Sequence, residues 1–238
     1  MRDFLNRYLR IIDSLPPLSF SLLILSVIAM NLLANKAVNT GLPWLVVDCG
    51  IIFSWLVFLT MDIMTHCYGP KAATTAALTA MAVNLFVSVL FLAASRVDGV
   101  WSASFVDGSE QIINDALDAT FGGTWFVLLG SSIAFSASAI VNNFLNWTIG
   151  RYCGERGFAT FALRSYVSTF IAQFIDNLTF ALLVSRIFFG WELGLCFTCA
   201  LAGAFLELLF EVFFSPVGFR ISRSILARRG ELEQPEEA

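Results

Sequence analysis

Residues Arg164–Phe189 read RSYVSTFIAQFIDNLTFALLVSRIFF. Between Arg164 and Arg186 the one charged residue is Asp176. The run is as long as a helix needs to cross the hydrocarbon core of a bilayer, about 20 residues. In lipid the backbone must satisfy its own hydrogen bonds, which selects a helix for such a run. Working outward, five further runs of the same kind occupy Leu18–Val38, Pro43–Met64, Ala72–Ser95, Thr124–Ile149 and Glu192–Ser222. The pattern predicts an all-α integral membrane protein, a bundle of six transmembrane helices.

Composition agrees. Of the 238 residues 58% are hydrophobic and 13% charged, against roughly 25% charged in a soluble domain; the mean hydropathy is +0.77. Basic residues alternate with the spans. Arg2, Arg7, Arg10, Lys71, Arg151, Arg156, Arg164, Arg220, Arg223, Arg228 and Arg229 fall on one side, and Lys36, Arg96 and Arg186 on the other. By the positive-inside tendency the first side is cytoplasmic. Both termini are then expected in the cytoplasm and the protein in the cell membrane, the inner membrane where a cell has two. The net charge of −4 and the lack of a basic face argue against nucleic acid as a partner.

The domain organisation follows. Residues 1–17 are expected as a cytoplasmic segment, 18–222 as the transmembrane domain and 223–238 as a polar cytoplasmic tail. No small-residue cleavage site closes the first apolar run, so it reads as a retained span rather than a signal peptide. The connection Arg96–Gly123 is long and acidic. Within it Ser109 is a candidate N-cap, and Ile112, Ile113, Ala116 and Leu117 suit a short extracellular amphipathic helix between the third and fourth spans. Ala72, Ala76 and Ala80, and Gly130, Ala134 and Ser138, recur four apart and are expected where helices approach closely.

Function is most legible in polar groups at membrane depth. A carboxylate at a helix centre costs about 2.5–3.5 kcal/mol on insertion scales and so points to a cavity or a partner. Asp48, Trp55 and Asp62 recur every seven residues in the second span, a slowly drifting stripe if all three are helical. Gln173, Asp176 and Asn177 share a face near the middle of the fifth. Glu207 and Glu211 lie one turn apart in the sixth; two carboxyls so close are not expected to be ionised together, so a proton or a cation is expected with them. Asn31 and Lys36 complete the substrate-binding set, with Lys36 either snorkelling outward or pairing with Glu207. Asn84, Asn142 and Asn143 read as interhelical hydrogen-bonding groups.

Other chemistry lacks its residues. One histidine, His66, and five cysteines without ligand spacing give no metal centre; Cys196 and Cys199, a CxxC inside an apolar run, read as packing residues. No Gly-rich phosphate loop and no serine elbow is present. No catalytic residue and no cofactor is expected, and the chain is read as a transporter rather than an enzyme. An intramembrane acid–base enzyme built on Glu207 and Glu211 is the distant alternative.

Several segments together carry a resemblance. FLTMDIMTHCYGPKAA (Phe58–Ala73) resembles the Asp-x-x-Thr-x-x-Tyr/Phe-Gly signature of the queuosine precursor transporter family, also called the VUT family. RSYVSTFIAQFIDNLTFAL (Arg164–Leu182) is similar to that family's Ser-Thr-x-x-x-Gln-x-x-Asp segment. LLFEVFFSPVGF (Leu208–Phe219) is similar to its closing helix, and NLLANKAV to its opening Asn…Lys helix. The resemblance implies uptake of a 7-deazaguanine, chiefly 7-cyano-7-deazaguanine. It also implies a six-helix fold like the substrate-binding subunits of energy-coupling-factor vitamin transporters, with functional residues at Asp62, Tyr68, Gly69, Gln173, Asp176 and Glu211. A homo-oligomer, a coupling ion and a separate ATPase module are compatible with it. Three positions depart from the pattern: His66 stands where an acid is common, Glu207 about where a lysine is expected, and Asp48 among expected small apolar residues. A second reading is therefore a binding subunit for another vitamin-like heterocycle.

Overall fold

The computed structural model describes residues 2–42, 44–99, 108–122, 125–153 and 157–230. The chain runs α1 (Arg2–Ser14), α2 (Pro17–Leu33), β1 (Ala37–Val38), β2 (Val47–Asp48), α3 (Ile51–Tyr68), α4 (Pro70–Ala94) and α5 (Glu110–Gly122). It continues through α6 (Trp125–Cys153), α7 (Phe158–Phe180), a π turn (Ala181–Ser185), α8 (Arg186–Phe189) and α9 (Leu193–Arg228). It is an all-α membrane protein. Five helical runs are long and apolar enough to cross a bilayer, and six if α1 and α2 count as one bent span.

The expected boundaries shift in physically telling ways. The first span ends at Leu33, not Val38, and the second begins at Ile51, not Pro43. Between them Ala37 pairs with Asp48 and Val38 with Val47 in an antiparallel ribbon. The ribbon satisfies backbone groups that would be orphaned at two helix ends. Residues 1–17 are not a plain segment: Arg2–Ser14 is helical and meets α2 at 104°. A proline at position 17 starts α2 without needing its N–H, and Tyr8 Oη lies 3.1 Å from Thr79 Oγ1 of α4. α9 continues six residues past Ser222 to Arg228, so the expected polar tail begins as helix. Pro43, residues 100–107, Gly123, Thr124, Arg156 and the tail 231–238 lie outside the described residues, and with them parts of the expected second and fourth spans, the long connection and the cytoplasmic charge set.

α5 forms where the sequence predicts a short helix. Ser109 precedes it, and its carbonyl accepts the Ile113 N–H at 3.0 Å. It rests on α4 through Phe121 and Phe91, ring centroids 4.7 Å apart.

Packing is close where side chains are small. Ala73, Ala76, Ala77 and Ala80 of α4 are fully buried, as are Ala134 and Ser138 of α6. A Cβ on Gly130 would sit 2.2 Å from Val184 Cγ2, so α6 meets the π turn at backbone distance. α3 and α4 are joined by Gly69 alone, at φ +83°, a turn that a side-chain-bearing residue rarely adopts. Large apolar side chains such as Phe86 and Phe213 face outward, the lipid side, while asparagines and carboxyls fill the interior.

Candidate functional site

A cavity of about 420 Å³ opens at the end of the bundle that carries the β1–β2 ribbon, within the ordinary range for small-molecule sites, roughly 300–1,000 Å³. Asn31 and Asn35 reach it from α2, Asp48 from the ribbon, Ser54 from α3, Asp176 and Asn177 from α7, and Glu207 from α9. Phe126, Phe180, Phe189 and Trp191 supply flat apolar walls. Among the described residues, three acidic side chains and no basic one line it.

Each polar group is positioned by a neighbour. Ser54 Oγ donates to Glu207 Oε1 at 2.5 Å and Asn177 Nδ2 to Glu207 Oε2 at 3.2 Å. Ser138 Oγ donates to Asp176 Oδ1 at 2.9 Å. Asn31 Nδ2 donates to its own helix at Val27 O, while Ser131 Oγ hydrogen-bonds its Oδ1. The Gly50 N–H donates to Asp48 Oδ1 at 2.7 Å. Asp48 lies outside the spanning helices; burial pushes its carboxyl up from 3.8 to about 6, with the Gly50 bond opposing.

The fifth span changes helical type at the cavity wall. Ala181–Ser185 form a π turn, a widening of the helix that is often found at functional sites. Phe180, Ala181 and Ser185 face the cavity there. Cys196 Sγ donates to the Ala181 carbonyl at 3.6 Å, and the Val46 N–H donates to Cys199 Sγ at 3.5 Å. The CxxC is thus a pair of buried free thiols that tie α9 to the π turn and the ribbon.

A second polar cluster is buried beneath. Asp62 accepts from Asn142 Nδ2 at 2.7 Å, from Thr169 Oγ1 at 3.2 Å and from Ser165 Oγ; Ser165 Oγ also lies 2.5 Å from Glu211 Oε1. Arg164 Nε donates to Asn146 Oδ1 at 2.9 Å and its Nη1 to His66 Nδ1 at 2.8 Å. Asn143 joins Thr65 to Thr74. The five helices bearing these groups, α3, α4, α6, α7 and α9, are linked by hydrogen bonds, and Asn142 and Asn143 bond between helices as the sequence predicts.

The expected substrate residues therefore divide. Asn31, Asp48, Asp176, Asn177 and Glu207 line the cavity. Asp62, Gln173 and Glu211 do not; all three are fully buried below it. Trp55 stacks on Phe214, centroids 4.1 Å apart and planes at 11°, in the α3–α9 packing. The expected stripe of Asp48, Trp55 and Asp62 does not form, because Asp48 precedes the helix. Lys36 is exposed, and Ser54 and Asn177 hold the Glu207 oxygens expected to pair with it. The reason is local: α2 unwinds after Leu33, so Lys36 leaves the register of Asn31 and its ammonium keeps its water. Arg164, expected among exposed cytoplasmic charges, is buried inside α7.

Sequence reasoning missed Ser54, Ser131 and the four aromatic walls. Ser54 lies in register with Asp62 two turns on, a usable signal; Phe126, Phe180, Phe189 and Trp191 are lost among 24 phenylalanines and six tryptophans. No curated protein and no solved structure matches this chain. The sequence profile of the family described as "Putative vitamin uptake transporter" matches residues 48–221, from the ribbon to the last turns of α9 and well over half of the chain, and the chain belongs to that family of multi-pass membrane transporters.

Proposed function

We propose that this protein imports a queuosine precursor, 7-cyano-7-deazaguanine or a related 7-deazaguanine, through the inner membrane, and that the planar base binds in the 420 Å³ cavity. The observation that carries the reading is the convergence of Asp48, Asp176 and Glu207 in a cavity that Phe126, Phe180, Phe189 and Trp191 also line. A deazaguanine presents N1–H and its 2-amino group as adjacent donors, which one carboxylate accepts together. Its ring stacks on aromatic side chains, and the amide groups of Asn31 or Asn177 serve its O6. In this reading the amphipathic α5 is extracellular and the termini are cytoplasmic.

A second reading has one observation in its favour. Asp48 and Glu207, both in the cavity lining, are two of the three positions that depart from the queuosine family's pattern. A binding subunit for another donor-rich heterocycle, driven by a separate ATPase, would use the same site.

The test is uptake of labelled 7-cyano-7-deazaguanine by cells unable to make it, with this gene and with its Asp176→Asn variant. The parent is expected to restore uptake. Loss of a hydrogen bond to a charged group costs about 1.5–3 kcal/mol, so Asp176→Asn is expected to weaken apparent affinity roughly ten- to a hundredfold. No uptake by a well-inserted parent in cells lacking any added ATPase module would favour the second reading.

A further inference from the structure

The carboxyls of Asp62 on α3 and Glu211 on α9 meet at a single hydroxyl. Ser165 Oγ on α7 hydrogen-bonds Asp62 Oδ2 and lies 2.5 Å from Glu211 Oε1. A serine carries one hydroxyl hydrogen and cannot donate to both. Asp62 is well supplied besides, by Asn142 at 2.7 Å and Thr169 at 3.2 Å. Glu211 is not: its Oε2 is buried with no partner among the described residues. One hydrogen is missing from the cluster. The place where it completes the set is Glu211 Oε1, donating to Ser165 Oγ, which then donates to Asp62.

Charge leads to the same count. Arg164 is the buried cation among the described residues, and it stands one residue before Ser165. Because it donates to His66 Nδ1, that ring is an acceptor there and adds no positive charge. Two bare carboxylates meeting at one hydroxyl would repel one another at membrane depth, and a proton on one of them removes that cost. Of the other charged groups on these helices, Asp176 on α7 and Glu207 on α9 are acidic and lie at the cavity, and Arg220, Arg223 and Arg228 are exposed near the C-terminal end of α9.

The cluster and the cavity are connected along α7 and α9. Ser165, Thr169, Gln173 and Asp176 recur along one face of α7, and Gln173 has both side-chain polar atoms buried without a partner among the described residues. On α9, Glu211 lies one turn from the cavity-lining Glu207. We propose that Asp62, Ser165 and Glu211 form a buried proton-binding site, with the proton held on Glu211 and Asp62 ionised, and that this proton is the coupling ion for uptake. The site itself stands on the geometry; its coupling role rests on the cavity being the transport site.

The hydrogen count makes the two acids unequal, and that is the test. In Glu211→Gln the amide N–H replaces the carboxyl O–H toward Ser165. The purified variant is expected to insert and melt with the parent. In Asp62→Asn the amide NH2 must face either Asn142 or the Ser165 and Thr169 hydroxyls, all donors to the native carboxylate, and the variant is expected to melt several degrees lower. Infrared spectra from mildly acidic to mildly alkaline pH are expected to show a protonated-carboxyl stretch in the parent that Glu211→Gln removes. The reverse stability order, or an unchanged carboxyl band in Glu211→Gln, would overturn the site. So would stabilisation of the parent by sodium ions that Glu211→Gln abolishes, since a metal cation would then hold the pair. None of these readouts uses a substrate. For coupling, an imposed inward proton gradient is expected to stimulate uptake of labelled 7-cyano-7-deazaguanine by proteoliposomes of the parent and not of Glu211→Gln. Equal stimulation of both would refute the coupling role and leave the site; binding of that probe by the parent, measured separately, tells this failure from a wrong substrate.

Discussion

Asp48 stands at the cavity with its Oδ1 held by the Gly50 N–H, and no other residue type fits at position 50. A Cβ there would lie 2.7 Å from both Asp48 Oδ1 and Met30 O. Burial raises the Asp48 carboxyl from 3.8 to about 6, so the folded protein holds this proton more tightly than the unfolded chain. The stabilisation that follows is complete below 3.8 and is lost as pH rises through about 6. Asp48→Asn keeps the acceptor and removes the titration. The variant is expected to match the parent's melting behaviour at the acid end, to gain on it as pH rises from 3.8 to about 6, and to hold that gain above. Thermal melts of both proteins across that range measure it, and a pH-independent difference would mean that the carboxyl is not desolvated. At this scale the sequence makes Asp48 visible as an acid among apolar neighbours. Its place in a ribbon is not visible, because two-residue pairing depends on Ala37 and Val38 lying opposite.

At the scale of the element, α9 shows how a helix accommodates a break beside a site. Pro216 has no N–H, so the Val212 carbonyl one turn back loses its helical partner. Ser215 supplies the substitute: its Oγ donates to Val212 O at 3.1 Å and lies 2.6 Å from Tyr166 Oη of α7. Ser215 is fully buried, so Ser215→Ala leaves the carbonyl without its side-chain donor and is expected to cost about 1–3 kcal/mol. Adding Pro216→Ala returns an N–H to the carbonyl, and the double variant is expected to recover part of the loss. A double-mutant cycle on melting or denaturant midpoints reads the coupling, and strictly additive effects would dissociate Ser215 from the proline. The proline and its distance from Glu211 are plain in the sequence, but the serine's role needs the tertiary partner Tyr166. The π turn is less legible still. Nothing in ALLVS departs from helical composition, yet Val184 within it packs onto α6 at Gly130, where a Cβ would not fit.

For the molecule as a whole, the distribution of polar and apolar surface is inverted relative to a soluble protein. Phenylalanines and leucines face outward, and asparagines, serines and carboxyls are packed inside, where an unpaired polar group costs more than in water. Which end faces the cytoplasm is testable on native chemistry. Cys153, at the end of α6, is an exposed free cysteine, whereas Cys67, Cys196 and Cys199 are buried. If the basic side is cytoplasmic, an impermeant thiol reagent is expected to spare Cys153 in intact cells and to label it after lysis. In a Cys153→Ser background, cysteine placed at exposed Asp98 is expected to react from outside. The opposite pattern would invert the topology and place the cavity mouth on the cytoplasmic side.

The sequence by itself determined that the chain is a helical membrane protein, where most of its apolar runs lie, and which polar residues are too costly at membrane depth to be incidental. Those properties follow from hydrophobic length and charge, which each segment carries alone. The family was legible too, since its motifs are local strings. Only the tertiary structure decided how the polar residues divide. Asp176 and Glu207 reach the cavity with Asn31, Asn177 and Asp48, while Asp62 and Glu211 meet at Ser165 outside it and Gln173 is buried on the same face of α7 as Ser165. The register of each helix against its neighbours sets that division. A single-helix pattern gives the face on which a side chain lies, but it does not give the depth or the identity of the group across the gap. The shared Ser165 hydroxyl between two acids 149 positions apart in the chain exists only once α3, α7 and α9 have packed.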